Sequence, residues 1–133
     1  MYLLDTNVVS DAHRRIPAPT AWLTSVDPMS VFLSVMTIGE IERGIAKIRA
    51  SLPEKAAKLE LWLTGLRREN IDRILPVTEE IAVRWGRLSA GRTRGGADGL
   101  IAATALVHDL IVVTRNVADF ADAGVIVLNP WAA

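Results

Sequence analysis

The chain has 133 residues, half of them hydrophobic, with 15 basic and 15 acidic side chains and no cysteine. That length suits one domain around one core, the apolar half excludes disorder, and the zero net charge excludes a strongly basic surface, so any nucleic-acid site rests on local patches. Disulfides and thiolate metal sites are excluded outright, and His13 and His108 are too few for a histidine-rich zinc site.

Tyr2-Leu3-Leu4 is too short for a core helix and reads as a buried strand. Asp5, Thr6 and Asn7 are three successive cap-forming residues, so this strand should run straight into a helical turn at Val8-Val9-Ser10. The opening segment has neither a basic stretch nor a long apolar one, so no signal peptide is expected. No apolar run approaches the ~20 residues of a membrane helix, which makes a soluble cytoplasmic protein without a membrane partner the default. Pro17 and Pro19 should break the chain, Thr20 to Val26 should form a short helix, and Pro28 should end it. Val31 to Val35 is the next strand.

From Thr37 to Ala50 the period becomes helical, with Ile38, Ile41, Ile45 and Ile48 on one stripe. After Pro53 a second helix, Glu54 to Arg68, carries Leu59, Trp62, Leu63 and Leu66 on one face, and the two should form an antiparallel hairpin. Ile74 to Val77 is a weak strand signal because of Pro76. Thr78 caps a helix that begins with Glu79 and Glu80 at its positive end and runs to about Ala90. Residues 91–96 form a glycine-rich basic loop. Ala97 to His108 is apolar nearly all round, hence a buried helix. Ile111 to Thr114 is the strongest strand, Asn116 to Phe120 makes one helical turn, and Val125 to Leu128 is the last strand, closed by Pro130. Strands alternating with helices imply an α/β layered fold with a mainly parallel sheet, whose binding crevice lies beyond the carboxyl ends of the strands.

Four acids occupy apolar addresses: Asp5, Glu40, Asp98 and Asp119. Asp5 ends the first strand, Asp98 heads the buried helix, and Asp119 follows the strongest strand. Each has a plainer explanation. The three aspartates sit where an acid serves a helix start, and Glu40 points ~120° away from the isoleucine stripe, as a solvated residue would. Gathered together, however, four carboxylates repel by kilocalories and persist only with protons or cations bound. Oxygen donors without Cys or His select a hard cation, Mg²⁺ or Mn²⁺. Mg²⁺ takes one or two carboxylates directly, so Asp5 and Asp98 are expected as inner ligands, with Glu40 and Asp119 acting through water or on a second ion. The matching chemistry is phosphodiester hydrolysis. Thr6, Asn7, Thr114 and Asn116 would orient water or phosphate, and Glu40 or Asp119 would take the proton. Arg92 and Arg94, on the loop before Asp98, and Arg115 are the candidate phosphate contacts.

Leu4-Asp5-Thr6-Asn7-Val8, Ile38-Gly39-Glu40-Ile41-Glu42-Arg43-Gly44, Ala97-Asp98-Gly99-Leu100-Ile101-Ala102-Ala103-Thr104-Ala105 and Val113-Thr114-Arg115-Asn116-Val117-Ala118-Asp119-Phe120 resemble, in order, the motifs of PIN-domain proteins. The nearest likeness is to VapC-type toxins of bacterial toxin–antitoxin pairs, in their FitB-like branch, and it spans the whole chain, residues 1–133. The resemblance implies a three-layer α/β/α sandwich with a mainly parallel sheet and a protruding helical hairpin. It also implies a Mg²⁺-dependent endoribonuclease, an RNA substrate and an antitoxin that silences it, and it maps the family's acids onto Asp5, Glu40, Asp98 and Asp119. Many relatives carry an acid where this chain has Asn116, which bears on a second metal ion. The alternative is a FitB-like binding module that partners a DNA-binding antitoxin, with weak or no nuclease activity. Near-zero net charge favours association, and a homodimer is expected. Trp62 on the hairpin is the expected antitoxin contact.

Overall fold

The computed structural model describes residues 1–92 and 97–132. Strand β1 (Tyr2–Leu4) leads directly into α1 (Thr6–His13), then α2 (Pro17–Ser25) and a 3₁₀ turn at Pro28–Ser30. Strand β2 (Val31–Ser34) is followed by α3 (Val35–Ile48) and α4 (Pro53–Glu69), then β3 (Ile74–Leu75), α5 (Glu79–Ser89), α6 (Asp98–His108), β4 (Ile111–Val113), α7 (Val117–Phe120) and β5 (Val127–Leu128). The five strands form one sheet in the order β3-β2-β1-β4-β5, and all four pairings are parallel.

That order has one reversal. The chain steps outward from β1 to β2 to β3, then crosses back to place β4 on the other side of β1. Parallel crossovers are right-handed, so a change of direction moves the connecting helices to the opposite face. Helices α1 to α4 pack on one face, around Leu4, Val8, Val9, Leu33, Ile41, Ile45, Leu63 and Val113. Helices α5 to α7 cover the other, around Leu3, Ile101, Ala105, Val112 and Phe120. Adjacent residues Leu3 and Leu4 thus enter different cores, as the two-residue period of a strand requires. Three layers result, and the crevice of such a sheet opens where β1 and β4 part company.

Several boundaries depart from the expectation for physical reasons. Pro17 and Pro19 do not interrupt the chain; they occupy the first turn of α2, where a missing N–H costs nothing. Val35 belongs to α3 rather than β2, because the Ser34 hydroxyl accepts the Met36 N–H and starts the helix there. The buried stripe of α3 is centred on Thr37, Ile41 and Ile45. Glu40, three residues from Thr37, stands ~60° from Thr37 at the edge of that stripe and is half-buried.

The α3–α4 hairpin forms as expected, and its second helix is anchored on the sheet by Leu59, Trp62, Leu63 and Leu66. Trp62 is half-buried with its ring stacked on His13, the centroids 4.1 Å apart. It is less open than Trp85, which is 44% exposed. Beyond α4, the buried guanidinium of Arg73 donates to the carbonyls of Val31 and Glu69 and to the side chains of Asn70 and Asp72. It ties the carboxyl end of α4 to the start of β2 and sets the register in which β3 joins the sheet. Among the described residues no helix is long and apolar enough to cross a membrane.

Candidate metal centre

Asp5 follows β1 directly and is 4% exposed. Its backbone N–H donates to the Val113 carbonyl at 2.9 Å, so the residue is pinned to the end of β4 as well as β1. One carboxylate oxygen, Oδ1, accepts the Thr6 N–H at 2.8 Å and thereby caps α1. The other, Oδ2, accepts the Thr114 hydroxyl at 2.8 Å and the Asn7 amide at 3.2 Å. One side chain therefore caps α1 and also bonds the residue that ends β4.

Thr114 is fully buried at the end of β4. Its hydroxyl donates to Asp5 and accepts the Asn116 N–H at 3.0 Å and the Asn7 amide at 3.3 Å. Asn7 in turn accepts the Arg115 N–H at 3.3 Å. Thr6 donates its hydroxyl to Glu40 Oε1 at 2.5 Å, and its oxygen lies 3.3 Å from the Thr37 hydroxyl. These bonds tie the N-terminus of α1 to α3 on one side and to β4 on the other, around the switch point of the sheet.

Two further acids act on the Asp5 carboxylate. Burial is the largest influence on Asp5 and raises its pKa above the ordinary carboxylate value, the Thr114 and Thr6 hydrogen bonds oppose this, and the negative charges of Glu40 and Asp119 raise it further. Asp5 thus lies in the field of both Glu40 and Asp119. Asp98 is the first residue of α6, after the cap residue Ala97, and is half-buried. Asp98 and Asp119 both act on Arg92, whose pKa is raised first by its hydrogen bond to Asp122 and also by these two charges. Among the described residues, no three carboxylate or imidazole groups stand close enough to cage a metal ion by themselves.

The donor set fits a hard cation that retains water. The hydrogen bonds to Asp5 come from an amide N–H, a hydroxyl and a carboxamide, none of them charged. A buried carboxylate held only by neutral donors, and repelled by two neighbouring acids, carries negative charge that a divalent cation would balance. Mg²⁺ commonly takes one or two carboxylates and fills its remaining positions with water and phosphate oxygens. Three clustered acids are therefore not required.

The arginines sort differently. Arg92 is ion-paired with Asp122 at 2.7 Å. Arg94 lies outside the described residues. Arg115 stands 3.5 Å from Asp11 and 5.2 Å over the Trp131 ring. Asn116 is exposed and starts α7, its backbone N–H rather than its carboxamide bonding to Thr114. The sequence reading passed over two polar residues that the fold buries, Thr37 and Asp11. The available signals were spacing alone: Thr37 lies one turn before Glu40, and Asp11 is followed by Arg14 at i+3.

Comparison with known proteins places these features in a family. The PIN domain family matches residues 2–125. Toxin FitB of Neisseria gonorrhoeae is 38% identical, over 98% of this chain and 99% of the relative. VapC ribonuclease Y4jK of Sinorhizobium fredii is 32% identical, over 98% of each chain. The crystal structure of FitAcB from Neisseria gonorrhoeae superposes with a TM-score of 0.88 at 36% identity, covering 100% of both chains.

Proposed function

The chain belongs to the PIN-domain family, and we propose that it is a divalent-cation-dependent endoribonuclease, acting as one domain and as the toxin of a cytoplasmic toxin–antitoxin pair. The single observation that carries the proposal is Asp5: a buried carboxylate at the switch point of a parallel sheet, bonded only to neutral donors and within reach of two further acids. The relatives named as a toxin and as a ribonuclease support the same reading.

Asp5 and Asp98 would hold the cation, with Glu40 and Asp119 beside it through water or at a second ion. Mg²⁺ or Mn²⁺, when bound, would lower the pKa of a water and offset charge on the phosphate. The residues of the chain supply the rest. Glu40, oriented by the Thr6 hydroxyl, would accept a proton from the attacking water, and Asp119 would be the alternative base. Thr114 and Asn7 fix the carboxylate of Asp5, so that it meets its ligand without rearrangement. Thr6 and Asn116 provide neutral polar groups for water and phosphate at the rim.

RNA is the proposed substrate, an antitoxin protein the proposed inhibitor and a homodimer the proposed assembly. A groove of about 400 Å³, lined by Val35, Ile38, Arg67, Arg68, Ile71 and Ile74, offers apolar area for protein contact, with Val35 and Ile71 exposed. A second reading, a binding module that assists a DNA-binding antitoxin, gains from Asn116, an amide where many relatives have an acid.

The deciding experiment is RNA cleavage by the antitoxin-free protein in Mg²⁺, in Mn²⁺ and with chelator, for the wild type and Asp98→Asn. The proposal expects cation-dependent cleavage and a loss of about 100-fold or more in Asp98→Asn at unchanged melting temperature. Cleavage that is indifferent to chelator or to this substitution removes the metal mechanism. No cleavage at all by wild type favours the binding module.

A further inference from the structure

We propose that Arg14 and Arg115, set on the two oxygens of the buried Asp11 carboxylate, form a phosphate-binding site at the lip of the crevice, with Asp11 as its positioning residue. The inference rests on the reading of RNA as substrate and adds a site to it.

Asp11 lies on α1 with its side chain 4% exposed. Such a carboxylate needs a partner, and one guanidinium would suffice. It has two: Arg14 on Oδ1, one turn along the same helix, and Arg115 on Oδ2 at 3.5 Å, from the end of β4. The group therefore carries a net positive charge, and it presents that charge outward. The two arginine side chains are 66% and 54% exposed while the acid between them is closed off. A guanidinium has five N–H donors in a fixed fork, so those turned away from Asp11 remain for an oxyanion.

The other arginines that form ion pairs among the described residues have no such surplus. Arg49 lies between two acids, Glu42 and Glu60. Arg92 has its own aspartate, Asp122, and Arg73 is buried.

The pair is also held still. Arg14 ends α1 in a closed turn: the Arg15 N–H donates to the Ala12 carbonyl and the Ile16 N–H to the Asp11 carbonyl, both at 3.0 Å, with Arg15 at φ 60°. Arg15 thus takes the position usually filled by glycine in such an ending. Arg115 is fixed by its backbone N–H on Asn7 and by the Trp131 ring beneath its guanidinium. Asn7 also bonds Asp5, so one side chain separates the clamp from the proposed cation site. Acids at the reacting centre would repel a nucleic-acid strand. A rigid positive pair beside them would hold a neighbouring phosphate and offset that repulsion.

The test is binding of a fluorescent single-stranded RNA oligonucleotide, in the non-cleaving Asp98→Asn background, across a salt series, together with kcat and KM for cleavage on the wild-type background. Arg115→Ala should weaken binding about 10-fold at low salt, make the slope of log K against log salt shallower by ~0.7, and raise KM more than it lowers kcat. Arg14→Ala should act in the same direction. Asp11→Asn adds a positive charge to the protein yet should weaken binding several-fold, because both arginines lose their seat; tighter binding would overturn the positioning role. If Asp11→Asn does not fold, Arg115→Lys decides: the proposal expects the salt slope kept and the affinity reduced. Wild-type binding by Arg115→Ala and Arg14→Ala removes the clamp even if the enzyme cleaves RNA. Clamp-dependent binding by a protein that cleaves nothing removes the nuclease reading and leaves the clamp. RNA binding by no form overturns both.

Discussion

Replacing Thr114 by valine keeps the shape of a fully buried side chain and deletes one hydroxyl. That hydroxyl gives Asp5 its 2.8 Å hydrogen bond and accepts the N–H of Asn116. Asn116 is exposed and water can replace its partner. Asp5 is closed to solvent and cannot be compensated in that way. A hydrogen bond to a charged group contributes about 1.5–3 kcal/mol, so Thr114→Val should destabilise the cation-free protein by roughly 2–3 kcal/mol at pH 7 by that principle.

The pH dependence carries the sharper content. Asp5 has its pKa raised by burial, so the folded state binds a proton more readily than the unfolded chain does. Its ionisation therefore weakens the fold as pH climbs from the unfolded carboxylate value through the raised one, and below that window the penalty is absent. The Thr114 bond works against the shift, so removing it raises the pKa further and deepens the loss only where Asp5 is ionised. Urea unfolding of both proteins between pH 4 and pH 8, without divalent cation, should show a deficit that is small at the acid end and grows with pH. A deficit of the same size at every pH would mean that Thr114 stabilises packing alone, and the account of Asp5 as a strained carboxylate would fail.

Arg73→Met should cost about 3 kcal/mol in urea unfolding, because it leaves the Val31 and Glu69 carbonyls without their buried donor; a cost under about 1 kcal/mol would show that water takes over. Arg15→Gly should stabilise the fold by about 1 kcal/mol, since Arg15 sits at φ 60° and glycine pays no steric cost there; thermal melts check the sign. Mg²⁺ or Mn²⁺ should raise the melting temperature of the wild type more at pH 7.5 than at pH 4.5, as the cation competes with the proton on Asp5, and should leave Asp98→Asn nearly unmoved.

The fold was legible wherever local chemistry decided the outcome. Tyr2-Leu3-Leu4 followed by three cap-forming residues could hardly do anything but run from strand to helix, and the parallel sheet followed from alternation of the elements. That Asp5 and Thr114 lie at the same edge was readable because both end apolar strands, and parallel strands bring such ends together; that the hydroxyl bonds the carboxylate was not. Other features depended on tertiary placement. Glu40 looked solvated because it lies well off the isoleucine stripe of α3, and what covers it is tertiary: buried Thr37 one turn before it and the Thr6 hydroxyl from α1. Asp11 has no local signal beyond Arg14 at i+3, and its second partner, Arg115, comes from over a hundred positions away. The prolines of α2 were misread as breaks because a proline ends a helix or begins one, and only the chain direction after Ile16 distinguishes the two.

The way the chain distributes its cations separates its acids by purpose. Asp11, Asp72, Glu60 and Asp122 each have a guanidinium at ion-pair distance. Asp5, closed off from water like Asp11, takes its hydrogen bonds from a hydroxyl, an amide and a backbone N–H. Two buried acids on or beside the same short helix thus receive opposite treatment. An arginine placed on Asp5 would stabilise the fold and remove the negative charge from the crevice. Leaving it among neutral donors keeps that charge available and weakens the folded state in the absence of a ligand. Capping α1 explains the bond of Asp5 to the Thr6 N–H, and the proposed cation site would give its uncompensated charge a second use. In the proposed site two arginines are held a step away, on Asp11, where they would meet the substrate.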